Sequence, residues 1–254
     1  MKSINIGLLS AMPEEIGNTI DNLENVTLKE HGDLKIYHGK LKKEVSNYES
    51  VYITLAWSGW GKVSSARAIT RILSGPNKID LIIFTGVAGA ASQSLKQWDI
   101  VIANEVIQHD MDARPIFEKF VIPKLKKAKL ESDNFLTNSI FSSLTKSVEN
   151  GNLTGFGNVK KGLIGTGDSF ISEEIVIKRL KDELPNLEAI EMEGGAVAQV
   201  AEEEGVPWVI VRVISDSADS SSEKDFDQFL KDYVLSSWKL LDCLLQDIPK
   251  MPNN

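Results

Sequence analysis

Two hydrophobic patterns alternate along the chain: short continuous apolar runs, and longer stretches with apolar residues three or four apart. The first kind reads as strands buried on both faces, and the second as helices with one buried face. Ile4–Leu9, Leu81–Thr85 and Trp208–Ile214 are the clearest strands. Leu34–Leu41, Val51–Trp57, Ile100–Ala103, Gly162–Gly165 and Ala189–Met192 read the same way. Helices are predicted over Val63–Leu73, Phe135–Val148, Glu173–Leu184 (stopped by Pro185), Gly194–Glu204 (ended by Gly205) and a closing amphipathic Phe226–Leu245. Pro13 suits the first turn of a further helix, with Glu14 and Glu15 where the helix dipole favours acids. Polar or glycine-rich connections fall at 42–50, Ser58–Lys62 and Ser215–Lys224. No repeat or linker divides the chain. The expectation is a single α/β domain over residues 1–254, with a central, largely parallel sheet flanked by helices. Residues 108–134 stand apart: Pro115 and Pro123 break any helix, and Lys124, Lys126, Lys127 and Lys129 cluster. A long irregular segment of this kind reads as a lid, an interface or an insert.

Composition narrows the class. Of 254 residues, 42% are hydrophobic and 25% charged, which excludes a disordered or collagen-like chain. Lys and Arg total 28 against 36 Asp and Glu, and the net charge of −8 opposes general binding to nucleic-acid backbones. The single cysteine, Cys243, permits no internal disulfide and suits a reducing cytoplasm. It lies in an apolar helical stretch and reads as core packing. One Cys and three His argue against a structural zinc site. The first apolar run is interrupted by Asn5 and leads into Pro13-Glu14-Glu15, so it reads as a strand rather than a signal segment. No run approaches the ~18 apolar residues of a membrane span. A soluble, cytoplasmic protein with neither membrane nor nucleic-acid partners is expected.

In sheets of this kind ligands bind beyond the carboxyl ends of the strands. Glu15 follows the first strand, Gly86–Ala90 follow Leu81–Thr85, Glu191 and Glu193 mark a strand-to-helix junction, and Asp216 and Asp219 follow Trp208–Ile214. Each has a structural explanation when taken singly. Glu15 suits the positive end of its helix, Asp216 and Asp219 suit a turn, Asp168 suits a turn or cap, and Glu193 suits solvent ahead of a helix. Together they put several carboxylates at one edge, where charge is costly unless paired or used. The glycine segments do not match phosphate cradles: Ser58–Lys62 lacks the G-x-x-x-x-G-K-[ST] spacing and Gly86–Ala90 lacks G-x-G-x-x-G. Small residues at 86–90 read instead as room for a ring or a sugar against the backbone. His109-Asp110 reads either as an acid–base pair or as a structural histidine beside an acid.

Six segments then occur in order: Ser10-Ala11-Met12-Pro13-Glu14-Glu15-Ile16, Ser58-Gly59-Trp60-Gly61-Lys62-Val63, Thr85-Gly86-Val87-Ala88-Gly89, Gly167-Asp168-Ser169-Phe170-Ile171, Glu191-Met192-Glu193 and Val211-Arg212-Val213-Ile214-Ser215-Asp216-Ser217-Ala218-Asp219. This set resembles the 5′-methylthioadenosine/S-adenosylhomocysteine nucleosidases of the nucleoside phosphorylase superfamily, from Ile4 to about Leu230. The resemblance implies a mixed, mostly parallel sheet flanked by helices, a homodimer, and hydrolysis of the bond between adenine and a 5′-substituted ribose without metal or cofactor. It implies Asp216 as the acid that protonates adenine N7, Glu193 as acceptor of ribose hydroxyls, Glu15 as base for the attacking water, and Arg212 as holder of that water and its carboxylates. Phe170 and Ile171 resemble the adenine shelf, Met192 the ribose contact, and Phe226 an aromatic closing the purine pocket. Met12, Trp60, Ala88, Gly89 and Ser215 fall among the residues that line the site, and Ile116 or Phe117 would belong to a lid over the neighbouring subunit's pocket.

The chain departs from that pattern in places. Trp60 replaces a smaller branched residue near the 5′ group, Val87 stands where serine is common, and Gly194-Gly195 replace bulkier small residues. The 110–134 loop is atypical in length and basicity, and Arg114 or its lysines are expected to favour a larger or carboxylate-bearing substrate. Three other activities fit the same motifs. One is a nucleosidase for another 6-substituted purine nucleoside such as futalosine; another is a non-catalytic nucleoside-binding or storage protein. The third is a purine nucleoside phosphorylase, although Ser-Ala-Met-Pro-Glu-Glu replaces the Gly-Asp-Pro-x-x-Arg type of phosphate element and its acids would repel phosphate.

Overall fold

The computed structural model describes residues 3–217 and 222–251; Ala218 and Asp219 lie outside the described residues. Among the described residues ten strands are present: β1 (Ile4–Ser10), β2 (Leu23–His31), β3 (Leu34–Leu41), β4 (Val51–Trp57), β5 (Leu81–Ala90), β6 (Ile100–Gln108), β7 (Lys129–Glu131), β8 (Val159–Thr166), β9 (Leu187–Glu191) and β10 (Trp208–Asp216). Six helices accompany them: α1 (Lys62–Leu73), α2 (Asn134–Glu149), α3 (Glu174–Glu183), α4 (Gly194–Glu203), α5 (Ser222–Tyr233) and α6 (Ser237–Gln246).

The strands run β10-β6-β8-β9-β5-β1-β4-β3-β2, and a further β10–β5 pairing closes β5, β10, β6, β8 and β9 into a ring. The sheet is mixed. Among the described pairings, β1–β4, β1–β5, β5–β10, β6–β8 and β8–β9 are parallel. The pairings β2–β3, β3–β4, β5–β9, β6–β7 and β6–β10 are antiparallel. The expected mixed sheet is present, with parallel and antiparallel pairings equal in number. Continuous apolar runs report burial on both faces, not direction, and ring closure brings strands of opposite sense together. One seam, between β5 and β9, consists of Gly89 opposite Ile190 and Ala90 opposite Ala189.

Alternation within strands splits most of the core into two layers, beside a third, smaller cluster around Leu163 and Leu187. Leu81 and Ile83 face one layer with α2 and α6, while Ile82 and Phe84 face the other with α1 and α4. α6 contributes Leu240, Leu241, Leu244 and Leu245 to the first layer, and Cys243 packs against it. Burial raises the Cys243 thiol pKa, as suits packing rather than reactivity.

Several boundaries differ from the sequence reading. β2 is absent from that reading because six of its nine residues are exposed, so it carries no apolar run. β5 continues through the glycine segment to Ala90, and β10 runs to Asp216 rather than ending at Ile214. The predicted closing helix is two helices, broken at 234–236, where Leu235 is exposed. The 108–134 segment contains the short strand β7, and most of its cations are engaged by acids of this chain. Lys119 pairs with Glu183 and Lys124 with Glu203, while Lys127 lies 2.5 Å from Glu202 and Lys129 2.9 Å from Glu105. Arg114 is held 2.5 Å from Asp112. These pairings engage Arg114 and four of the segment's five lysines within the chain.

Leu8, fully buried in β1 between β4 and β5, tests the core directly. Leu8→Ala is expected to cost about 2–5 kcal/mol, read as a lower urea midpoint at unchanged slope.

Candidate active site

β1 ends at Ser10, and the chain turns through a 3₁₀ segment, Pro13–Glu15, with proline at its first position. The turn sends Glu15 back beneath the strand ends. Its carboxylate accepts N–H bonds from Ala11 at 2.7 Å, Met12 at 2.9 Å and, across the sheet, Val87 at 2.9 Å. Burial raises its pKa, against the opposing pull of Arg212 and the three N–H groups.

Gly86 explains how this group fits. A Cβ there would lie 2.4 Å from Glu15 Oε1 and 2.7 Å from Arg212 Nη1. At this position the missing side chain makes room for an internal carboxylate and guanidinium, not for a ring or sugar. Arg212, on β10, is 1% exposed. Its guanidinium lies 3.9 Å over the Phe84 ring and donates from Nη2 to Glu191 at 2.6 Å. Its Nε and Nη1 have no hydrogen-bond partner among the described residues.

Glu191 closes β9 and collects four donors. The Thr166 hydroxyl donates to one oxygen. Arg212 at 2.6 Å, Gly194 N–H at 2.7 Å and Glu193 N–H at 3.1 Å donate to the other. Glu193 stands at the N-terminus of α4, and its carboxylate accepts the Gly61 N–H at 2.7 Å. Burial, and then repulsion from Glu191, raise the Glu193 pKa.

Asp216 is placed by an irregularity in β10. The register with β5 shifts between Ile214 and Asp216, so Asp216 stands opposite Gly89. Such bulges re-aim a side chain. Asp216 is buried and accepts the Ser215 hydroxyl at 2.7 Å, while the Ser215 carbonyl accepts from Gln97 at 2.7 Å.

One pocket of about 560 Å³, counting its open mouth, joins these groups. Glu15, Glu193, Asp216, Met12, Trp60, Ala88, Gly89, Phe170, Ile171, Met192, Ser215 and Phe226 all line it. Phe226 meets Trp60 edge-on at 6.0 Å and Phe170 at 5.7 Å, an aromatic arc suited to a flat ligand. Arg212 sits behind the lining rather than in it. Ile116 and Phe117 do not reach this pocket, and Ile116 is 82% exposed. His109 packs where a Cβ at Gly167 would meet its Cε1 at 2.3 Å, and burial lowers its pKa, so it is a packed histidine outside the pocket.

A model of the Phosphorylase superfamily matches residues 5–246. The chain is 32% identical over 251 residues to the 5′-methylthioadenosine/S-adenosylhomocysteine nucleosidase of Anoxybacillus flavithermus, covering 97% of this chain and 100% of that one. The chain belongs to the phosphorylase superfamily, in its 5′-methylthioadenosine/S-adenosylhomocysteine nucleosidase family. The Neisseria meningitidis nucleosidase, solved with methylthio-immucillin-A, superposes on this family member with a TM-score of 0.84 at 30% identity, covering 95% of this chain and 98% of that one. The futalosine hydrolase of Helicobacter pylori superposes at 0.80 and 28% identity, covering 95% and 97%.

Sequence reasoning missed three features of this nucleosidase-family site. Glu191 is legible in the sequence as an acid at a strand end and as part of Glu191-Met192-Glu193, but not as the ion-pair partner of Arg212. Its spacing of two from Glu193 carries no such signal, because residues two apart on a strand share a face. Ser169 and Ile190 also line the pocket, and Val87 supplies a backbone N–H to Glu15.

Glu191→Gln removes the charge paired with fully buried Arg212, and is expected to destabilise by about 3–5 kcal/mol in chemical denaturation. Glu193 gives a pH test. Its folded pKa is raised, so the folded state binds more protons and its stability falls as pH rises above 4.5. Glu193→Gln removes that loss. Its melting temperature relative to the parent chain is expected to be higher at pH 8 than at pH 5, and an unchanged difference would count against the assignment.

Proposed function

We propose that this chain hydrolyses the N-glycosidic bond of 5′-methylthioadenosine, S-adenosylhomocysteine or a related 5′-substituted adenosine, releasing adenine and a 5-thioribose product. The observation that carries the reading is the convergence of Glu15, Glu193 and Asp216 on one pocket with an aromatic rim.

Adenine is a poor leaving group as an anion. As the C1′–N9 bond breaks, its electron pair passes to the base, and Asp216 gives a proton to N7. The place of Asp216 on the pocket wall, where the Ser215 hydroxyl orients its carboxylate, supports this assignment. Phe170, Ile171 and Phe226 sandwich the base, and Met192 lies against the sugar. The ribose becomes oxocarbenium-like, and the carboxylates stabilise that charge. Glu193, steered by the Gly61 N–H, accepts ribose hydroxyls. Glu15 takes a proton from the water that attacks C1′ on the opposite face, as in glycoside hydrolysis with an acid on one side and a base on the other. The raised pKa of Glu15 suits a base, and the unpartnered Nη1 of Arg212 beside it supports a shared hold on that water. This chemistry calls for no metal or cofactor.

The reading extends to a homodimer. Trp60, Val63, Ile116 and Phe170 are exposed apolar side chains, 42–82% accessible, on the chain described alone. Ile116 or Phe117 of one copy would cover the pocket of the other. Trp60, half exposed at the rim, also supports a second reading, hydrolysis of a futalosine-like nucleoside with a bulkier 5′ group.

Free adenine released from methylthioadenosine, with and without phosphate, tests the function. Equal release is expected; strict dependence on phosphate would make the protein a phosphorylase. Asp216→Asn is expected to lose at least ~10²-fold in kcat while retaining ligand binding. Undiminished turnover would remove Asp216 as the acid.

A further inference from the structure

Lys62 opens α1 beside the pocket without lining it. Its side chain is 18% exposed and lies between two acids from distant segments. Nζ is 2.6 Å from Asp110 Oδ1, just past the end of β6, and 4.0 Å from Asp168 Oδ2, in the turn after β8. The acids are themselves joined: Asp168 N–H donates to Asp110 Oδ2 at 3.0 Å. Asp168 Oδ1 also accepts the Lys62 N–H at 2.8 Å, placing a carboxylate at the positive end of α1.

The knot has the catalytic pocket on both sides. On one side, Gly61 immediately precedes Lys62, takes φ of 92°, and donates its N–H to Glu193 at 2.7 Å. A Cβ at Gly61 would stand 3.1 Å from Asp168 Oδ1, so loop and turn are in close apposition. On the other side, Ser169, Phe170 and Ile171 follow Asp168 and line the pocket wall. The direction of the Gly61 N–H therefore depends on where Lys62 and Asp168 hold the loop. Lys62 has no free charge to offer a substrate, because Asp110 already holds it within the protein.

We propose that Lys62 is a positioning residue: by bridging Asp110 and Asp168 it clamps the 58–61 loop to the 168–171 segment and keeps the Gly61 N–H on the Glu193 carboxylate. The kinetic part of this inference rests on the nucleosidase reading; the geometric part does not.

Lys62→Met and Lys62→Arg in the full chain separate the two parts. Each is made with Glu193 intact and with Glu193→Gln. With Glu193 intact, Lys62→Met is expected to lower kcat/KM for methylthioadenosine about tenfold, with Lys62→Arg recovering most of it; with Glu193→Gln in place, the same change is expected to cost less than about twofold, since neighbours that act together are not additive. Amide hydrogen exchange at Gly61 is expected to be at least about tenfold faster in Lys62→Met. Equal kinetic losses in both backgrounds, or unchanged Gly61 exchange, would overturn the proposal. If Lys62→Met does not fold, Asp168→Asn, at a half-exposed side chain, is read the same way. If the parent chain releases no adenine, the functional reading fails, and Gly61 exchange alone decides the role of Lys62.

Discussion

A guanidinium in the middle of a hydrophobic strand sets the terms for the rest of this structure. Arg212 lies within β10, whose nine residues are all buried. Taking a charge from water into such a place costs several kcal/mol unless it is met by well-aligned partners. Burial works against its charge, yet Glu191, Glu15 and Glu193 hold its pKa above the ordinary value. The carboxylates are in turn tolerated because the cation is there and because backbone N–H groups face them. Gly86 is glycine so that acid and cation can meet; the strand ends, the turn at Pro13 and the start of α4 supply the amides.

This arrangement separates two kinds of acid by environment. Glu191 also borders the pocket, but four donors within the chain hold its carboxylate. Glu15 and Glu193 keep part of their carboxylate surface on the pocket, and burial makes their protonated forms easier to reach. Asp216 reaches the same space from a bulge, on the side of the aromatic arc. Carboxylates reaching one ligand space from different strand ends are what acid–base chemistry on two sides of a sugar–base bond requires.

Much of this was legible in the residues. Leu34–Leu41 and Val51–Trp57 emerge with the boundaries their apolar runs imply, and α1 begins one residue before its expected start. The pocket gathers the acids and aromatics whose motifs occur in order along the chain. What stayed illegible has physical causes. β2 is an exposed edge strand, and its side chains carry no burial signal. Strand direction leaves no trace in hydrophobicity, so ring closure was invisible. Glu191 and Glu193 are the same residue type two apart, and only the fold tells which one answers Arg212. The break between α5 and α6 preserves helical apolar spacing on both sides, so periodicity alone runs through it.

The seam between β5 and β9 has a consequence for how the protein comes into being. Only two residue pairs close the ring there, and they join segments far apart in the chain. Contacts of such long sequence separation form only after a large loss of chain entropy. Glu15 comes from the beginning of the sequence, Glu191 from its later part and Asp216 from near its end, and all three border one pocket. A partly made or partly unfolded chain therefore carries scattered acids and no reactive centre. Glu15, Glu193 and Asp216 come from both ends of the chain, so the complete pocket wall exists only in the completed fold.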